Sequence, residues 1–105
     1  NRLRSAHGLS KPEMDFDNLI DKKIVNLSSR NLRDDDLAVI TVVLKESQVL
    51  EVLNLKRNRI TLTDVNGKLF TEALGNSRTL RILDLSCNKI SAEGAKWLAS
   101  ALKVN

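Results

Sequence analysis

Aromatic residues are almost missing from this chain: Phe16, Phe70 and Trp97 are the whole set, and there is no tyrosine. Most of any core must therefore come from leucine, isoleucine, valine and alanine. A single cysteine, Cys87, rules out an internal disulfide. Small secreted domains usually carry several bridges, so the expected setting is a reducing one, the cytoplasm. No run of about 18 apolar residues occurs, which argues against a transmembrane helix and a membrane partner. The chain starts at Asn1 without an apolar signal-peptide core, so it is expected to be cut from something longer. The formal charge is only +4, with basic residues spread from Arg2 to Lys103 among acids. A nucleic-acid-binding domain of this size would show a denser basic stripe and stacking aromatics, so no nucleic-acid partner is expected. What remains, 42% apolar and 29% charged residues over 105 positions, is the composition of one small globular domain.

The chain repeats itself. Leu50-Glu51-Val52-Leu53-Asn54-Leu55-Lys56-Arg57-Asn58-Arg59-Ile60 and Leu80-Arg81-Ile82-Leu83-Asp84-Leu85-Ser86-Cys87-Asn88-Lys89-Ile90 both read LxxLxLxxNxI. A weaker copy starts at Lys22, where Val25, Leu27 and Leu32 fill the apolar positions and Arg30 replaces the asparagine. Leu27, Leu55 and Leu85 are 28 and 30 residues apart. The extra two residues fall between Ile60 and Phe70, within Thr61 to Gly67. The repeats are taken as 22–49, 50–79 and 80–105.

Each copy divides into two halves. Leu53-x-Leu55 and Leu83-x-Leu85 alternate with polar residues, the period of a strand. Leu37, Ile40, Val43 and Leu44 recur at helical spacing, as do Phe70, Ala73 and Leu74, and Trp97, Leu98, Ala101 and Leu102. Asp34, Asp35 and Asp36 precede the first of these helices, where acids suit the positive end of the helix dipole, and Ser91 with Glu93 opens the last in a similar way. The amides of Asn58 and Asn88 are expected to bond backbone groups of neighbouring copies where the chain turns off each strand. Arg30 has donors but no acceptor and cannot do the same, so the first copy is expected to be looser or irregular.

These motifs resemble the leucine-rich-repeat family over Lys22 to Leu102. A 28-residue spacing with a full helix per repeat is similar to its ribonuclease-inhibitor-type branch, shared by NOD-like receptors and a GTPase-activating protein. The resemblance implies an α/β fold: a right-handed β-α solenoid with a short parallel sheet on the concave face and helices on the convex face.

At the ends, the register places Phe16 where Leu44 and Leu74 stand in the later copies. Residues 10–21 are therefore expected to form an N-terminal helix or cap, with Pro12 in its first turn. Residues 1–9 show no periodicity and are read as a flexible tail. The last copy has no recognisable cap, which leaves self-association through the C-terminal end as an alternative, because solenoids need capped ends.

Candidate chemistry is sparse. His7, the only histidine, has no evident partner for base or metal-ligand work. Cys87 falls in the turn after a strand, where the register puts Arg57 rather than a general base beside it. Three adjacent acids lack the spaced oxygens and glycine turn of a calcium loop. Glycines 8, 67, 75 and 94 make no phosphate loop. No catalytic residue, metal or cofactor is expected, and the chain is not read as an enzyme.

The strand face is the remaining candidate. Its third positions are Ile24, Val52 and Ile82; its fifth are Asn26, Asn54 and Asp84; its seventh and eighth include Lys56 and Arg57. These eight residues are expected to bind a protein partner across the stacked copies, an apolar column beside polar ones. The alternative is a regulatory repeat domain of a larger sensor or GTPase-activating protein. Lys56, Arg57, Arg59 and Lys89, with Arg30 and Arg33, form a basic edge where the strands end. It is either simply solvated or faces an acidic protein partner.

Overall fold

The computed structural model describes residues 15–104, without the side chains of the last two. His7, Pro12, the 1–9 segment and the first part of the expected 10–21 helix lie outside the described residues. Four helices and three strands alternate: α1 (Phe16–Leu19), β1 (Ile24–Asn26), α2 (Leu37–Glu46), β2 (Val52–Asn54), α3 (Val65–Asn76), β3 (Ile82–Asp84) and α4 (Ala92–Val104). A 3-10 turn, Asp34–Asp36, leads into α2. The strands form one parallel sheet in the order β1-β2-β3. Ile24 pairs with Val52 and Val52 with Ile82, so the copies stack in register despite the two-residue difference in length.

The core lies between the sheet and the helices. Val25 and Leu53 point inward from strand centres, Leu27 and Leu55 follow them, and all four are buried. Leu37, Ile40, Val43 and Leu44 of α2 and Phe70, Ala73 and Leu74 of α3 close over them. α3 packs against α2 on one side and α4 on the other. The last repeat is less enclosed: Leu80, Leu83, Leu85, Ile90, Trp97 and Leu98 are only partly buried. Leu102, expected in the core with Leu44, is 64% exposed. Among the described residues α4 has a neighbouring helix on one side only, so nothing covers that side chain.

Side chains end each element at fixed places. Asn26, Asn54 and Asp84 accept the backbone N–H two residues on, from Ser28, Lys56 and Ser86, and so terminate the strands after three residues. Asp64 caps α3 by accepting from Asn66 and Gly67 N–H, and the Ser91 hydroxyl caps α4 by accepting from Gly94 N–H. Ser47 and Ser77 use their hydroxyls to fold the chain back toward the next strand, accepting from Leu50 and Leu80 N–H.

The two repeat asparagines reach backward, as expected of a side chain with both donors and an acceptor. Asn58 accepts from Arg30 and Leu32 N–H and donates to the Leu27, Leu55 and Lys56 carbonyls. Asn88 accepts from Ile60 N–H and donates to the Leu55, Leu85 and Ser86 carbonyls. This direction corrects one expectation. The first copy is not looser for lacking an asparagine, because its own backbone is served by Asn58 of the next copy. Val25, Leu27 and Leu32 are 0–2% exposed. Its turn is irregular, however: Asn31 joins Ser29 in left-handed backbone, at φ 58° and 56°.

The aspartates before α2 also do something other than complement its dipole. The Asp36 carboxylate accepts from Arg33 N–H. Asp34 is buried and crosses to the next repeat, accepting from Thr61 and Thr63 N–H and the Thr61 hydroxyl. It thereby holds the loop that carries the additional residues. Burial raises its pKa, but these bonds, with one from Leu62 N–H, outweigh that and hold the carboxyl below its ordinary value.

Candidate binding face

The sheet side facing away from the helices is built by strand alternation. Turning Val25, Leu53 and Leu83 inward turns the residues before and after them outward. Ile24 and Ile82 are 64% and 58% exposed, and Val52 between them is half-buried. Strand pairing sets these three side by side, so the sheet carries an apolar column that the core does not use.

The fifth-position residues lie on the same face, with Asn26 exposed and Asn54 and Asp84 half-buried. Their side-chain oxygens are engaged in the strand-exit turns. Asn26 also accepts from the Ser28 hydroxyl, and Asp84 from the Ser86 hydroxyl at 2.6 Å. That hydroxyl first, then the Ser86 N–H and the nearby Lys56 charge, hold the Asp84 carboxyl below its ordinary value. These three residues thus shape the face as well as occupying it. An Asx residue two positions before Ser or Lys, just after an apolar pair, was the available signal for such a turn.

Lys56 is half-buried and Arg57 exposed. Arg57 has a left-handed backbone at φ 59°, as do Ser29 at 56° and Cys87 at 59° in the equivalent turns. No glycine marks these positions, so the sequence carried no sign of them. The turns stack through Ser29 N–H to the Lys56 carbonyl and Arg57 N–H to the Ser86 carbonyl, at 2.9 and 3.0 Å. Cys87 is exposed in the last of them. Among the described residues no group of three or more His, Cys, Asp or Glu gathers where it would hold a metal ion. No helix among them is long and apolar enough to cross a membrane.

One feature on the helix side went unanticipated. A groove of about 400 Å³ runs between α3 and α4, with Lys68, Glu72, Gly75, Trp97 and Ala101 in its walls. Trp97 read from its spacing as a core residue, yet it is half-buried because the small Gly75 and Ala101 leave the gap open.

Helix and strand alternating over a short three-stranded parallel sheet define an α/β repeat fold. Residues 76–99, which hold the end of α3, β3 and the start of α4, match the family model described as "Leucine Rich repeat", and the match supports a leucine-rich-repeat family for this chain. No curated protein matches the chain. Leucine-rich repeats in general mediate protein–protein interaction and are non-enzymatic modules.

Proposed function

We propose that the chain is a protein-interaction module of the ribonuclease-inhibitor-like type, a short solenoid that binds a protein partner on the concave face of its sheet. The single observation that carries this reading is the column of Ile24, Val52 and Ile82. Two of its members are more than half exposed, on a face where the stacking needs no apolar side chain. A partner covering the column would desolvate Val52 at its centre and Ile24 and Ile82 on either side. Asn26, Asn54, Asp84, Lys56 and Arg57 would stay nearer the rim of the covered area. The single cysteine supports a cytoplasmic setting.

The test uses Val52→Asp with Ile82→Asp. Neither side chain belongs to the buried core, so circular dichroism is expected to match the parent while recovered protein partners are lost. A folded double variant that retains every partner would sink the sheet-face reading. Size-exclusion chromatography of the same samples reads self-association: a parent that elutes as a dimer, with the double variant unchanged, would place that interface outside the column.

A further inference from the structure

Backbone bonds between successive turns collect positive charge beside the apolar column. Arg59 N–H donates to the Leu32 carbonyl at 2.7 Å and Lys89 N–H to the Ile60 carbonyl at 3.1 Å, so Arg59 and Lys89 stand on adjacent turns. Arg57 N–H joins the same stack through Ser86, and Arg30 N–H joins it through the Asn58 side chain. Arg30, Arg57, Arg59 and Lys89 are all exposed.

Four carboxylates in and around these turns are turned to other work, while Asp35 is exposed. Asp84 is held by Ser86, Asp34 is buried against Thr61 and Thr63, Asp36 accepts from Arg33 N–H, and Asp64 caps α3. These carboxylates keep their charge, but each is aimed at neutral N–H or O–H donors and not at Arg30, Arg57, Arg59 or Lys89. Aromatic side chains are also missing from it: Phe70 is buried in the core, Phe16 sits in α1, and Trp97 lines the helix-side groove. A single-stranded nucleic acid would want such rings for its bases.

We infer that the partner is an acidic polypeptide segment with two zones, apolar side chains over Ile24, Val52 and Ile82 and carboxylates over Arg30, Arg57, Arg59 and Lys89. The inference rests on the sheet-face reading and adds the chemistry and direction of what lies there. Val52 and Arg57 are five residues apart, so at most roughly 17 Å of chain separates the two zones. A short extended stretch reaches from one zone to the other.

The probe is a fluorescein-labelled peptide with a leucine-rich half and a glutamate-rich half, titrated with the purified chain and followed by anisotropy. Controls are the same peptide with lysine for glutamate and an oligouridylate of similar length. The parent should bind the glutamate peptide, more weakly as salt rises, and bind neither control as tightly. Arg57→Glu with Arg59→Glu and Lys89→Glu should weaken binding about tenfold or more, on the order of 1.4 kcal/mol. The glutamine triple variant should weaken it less, and Lys45→Glu with Lys96→Glu, on α2 and α4, should leave it unchanged.

Parent-like binding by both edge variants, or tighter binding of the oligouridylate than of the peptide, overturns the inference. If Val52→Asp with Ile82→Asp abolishes binding while the edge variants keep it, the sheet-face reading survives and the acidic partner does not. If the edge variants abolish it while the column variant keeps it, the sheet-face reading and the two-zone partner both fall, and only a basic edge remains.

Discussion

At the scale of single residues, one side chain often completes another repeat's backbone. Asn58 is buried and serves five backbone groups, two of them N–H groups of the preceding turn. Asn88 is half-buried and serves four. Asn58→Ala should therefore cost more than Asn88→Ala. Each should fall at about 1–3 kcal/mol or somewhat above, as removal of a buried polar partner does, read from urea unfolding. Asp34 gives a pH signature. Its carboxyl is held below the ordinary value of about 3.9 in the folded chain, so its contribution is fully present above that range and is lost as pH falls through the lowered value. Asp34→Asn should flatten the stability profile below about pH 4 relative to the parent; parallel profiles would show that the carboxylate contributes nothing. Thr41 is the opposite case. Its hydroxyl is buried with no hydrogen-bond partner among the described residues, so Thr41→Val should be neutral or stabilising by about 1 kcal/mol, since it removes an unpaired polar group at constant shape.

At the scale of elements, the stacking of α3 and α4 depends on Leu62. This residue is fully buried in left-handed backbone at φ 57°. A Cβ added at Gly67 would lie 2.6 Å from Leu62 Cα, and one at Gly94 2.5 Å from Leu62 Cβ. The two glycines let the first turns of both helices close on the loop. Gly94→Ala is expected to destabilise by about 1–3 kcal/mol, the range for overpacking a filled site, although alanine is the better helix former. A rise in melting temperature would show that the contact relaxes freely. The three strands, the helices that follow them and the position of the additional residues were legible from period alone. The reason is that each element buries one face and that face repeats. The strand ends and the 3-10 turn before α2 rest on local Asp and Asn bonds spanning two or three residues, a signal that period does not carry, and the left-handed turn of the first copy is held by a neighbouring repeat some 26–28 residues away.

At the scale of the molecule, enclosure falls toward the last repeat. Leu55 is fully buried between two neighbouring repeats, whereas its equivalent Leu85 is partly exposed at the outer strand. Identical motif positions thus carry different weights. Leu55→Ala should cost about 2–5 kcal/mol and leave the chain largely unfolded at room temperature. Leu85→Ala should cost clearly less, since part of its surface is already in water. Equal unfolding midpoints for the two variants would contradict this gradient.

The sequence by itself determined the repeat, its period, the residues that turn inward and the eight candidates for the strand face. Each of these follows from side-chain polarity at fixed spacing, which is a local property. Only the tertiary structure decided that Asp34 serves the next repeat and that Leu102 stays outside the core. Those facts depend on which backbone groups of one repeat remain unpaired until the next is laid against it. No single copy of the motif contains that information.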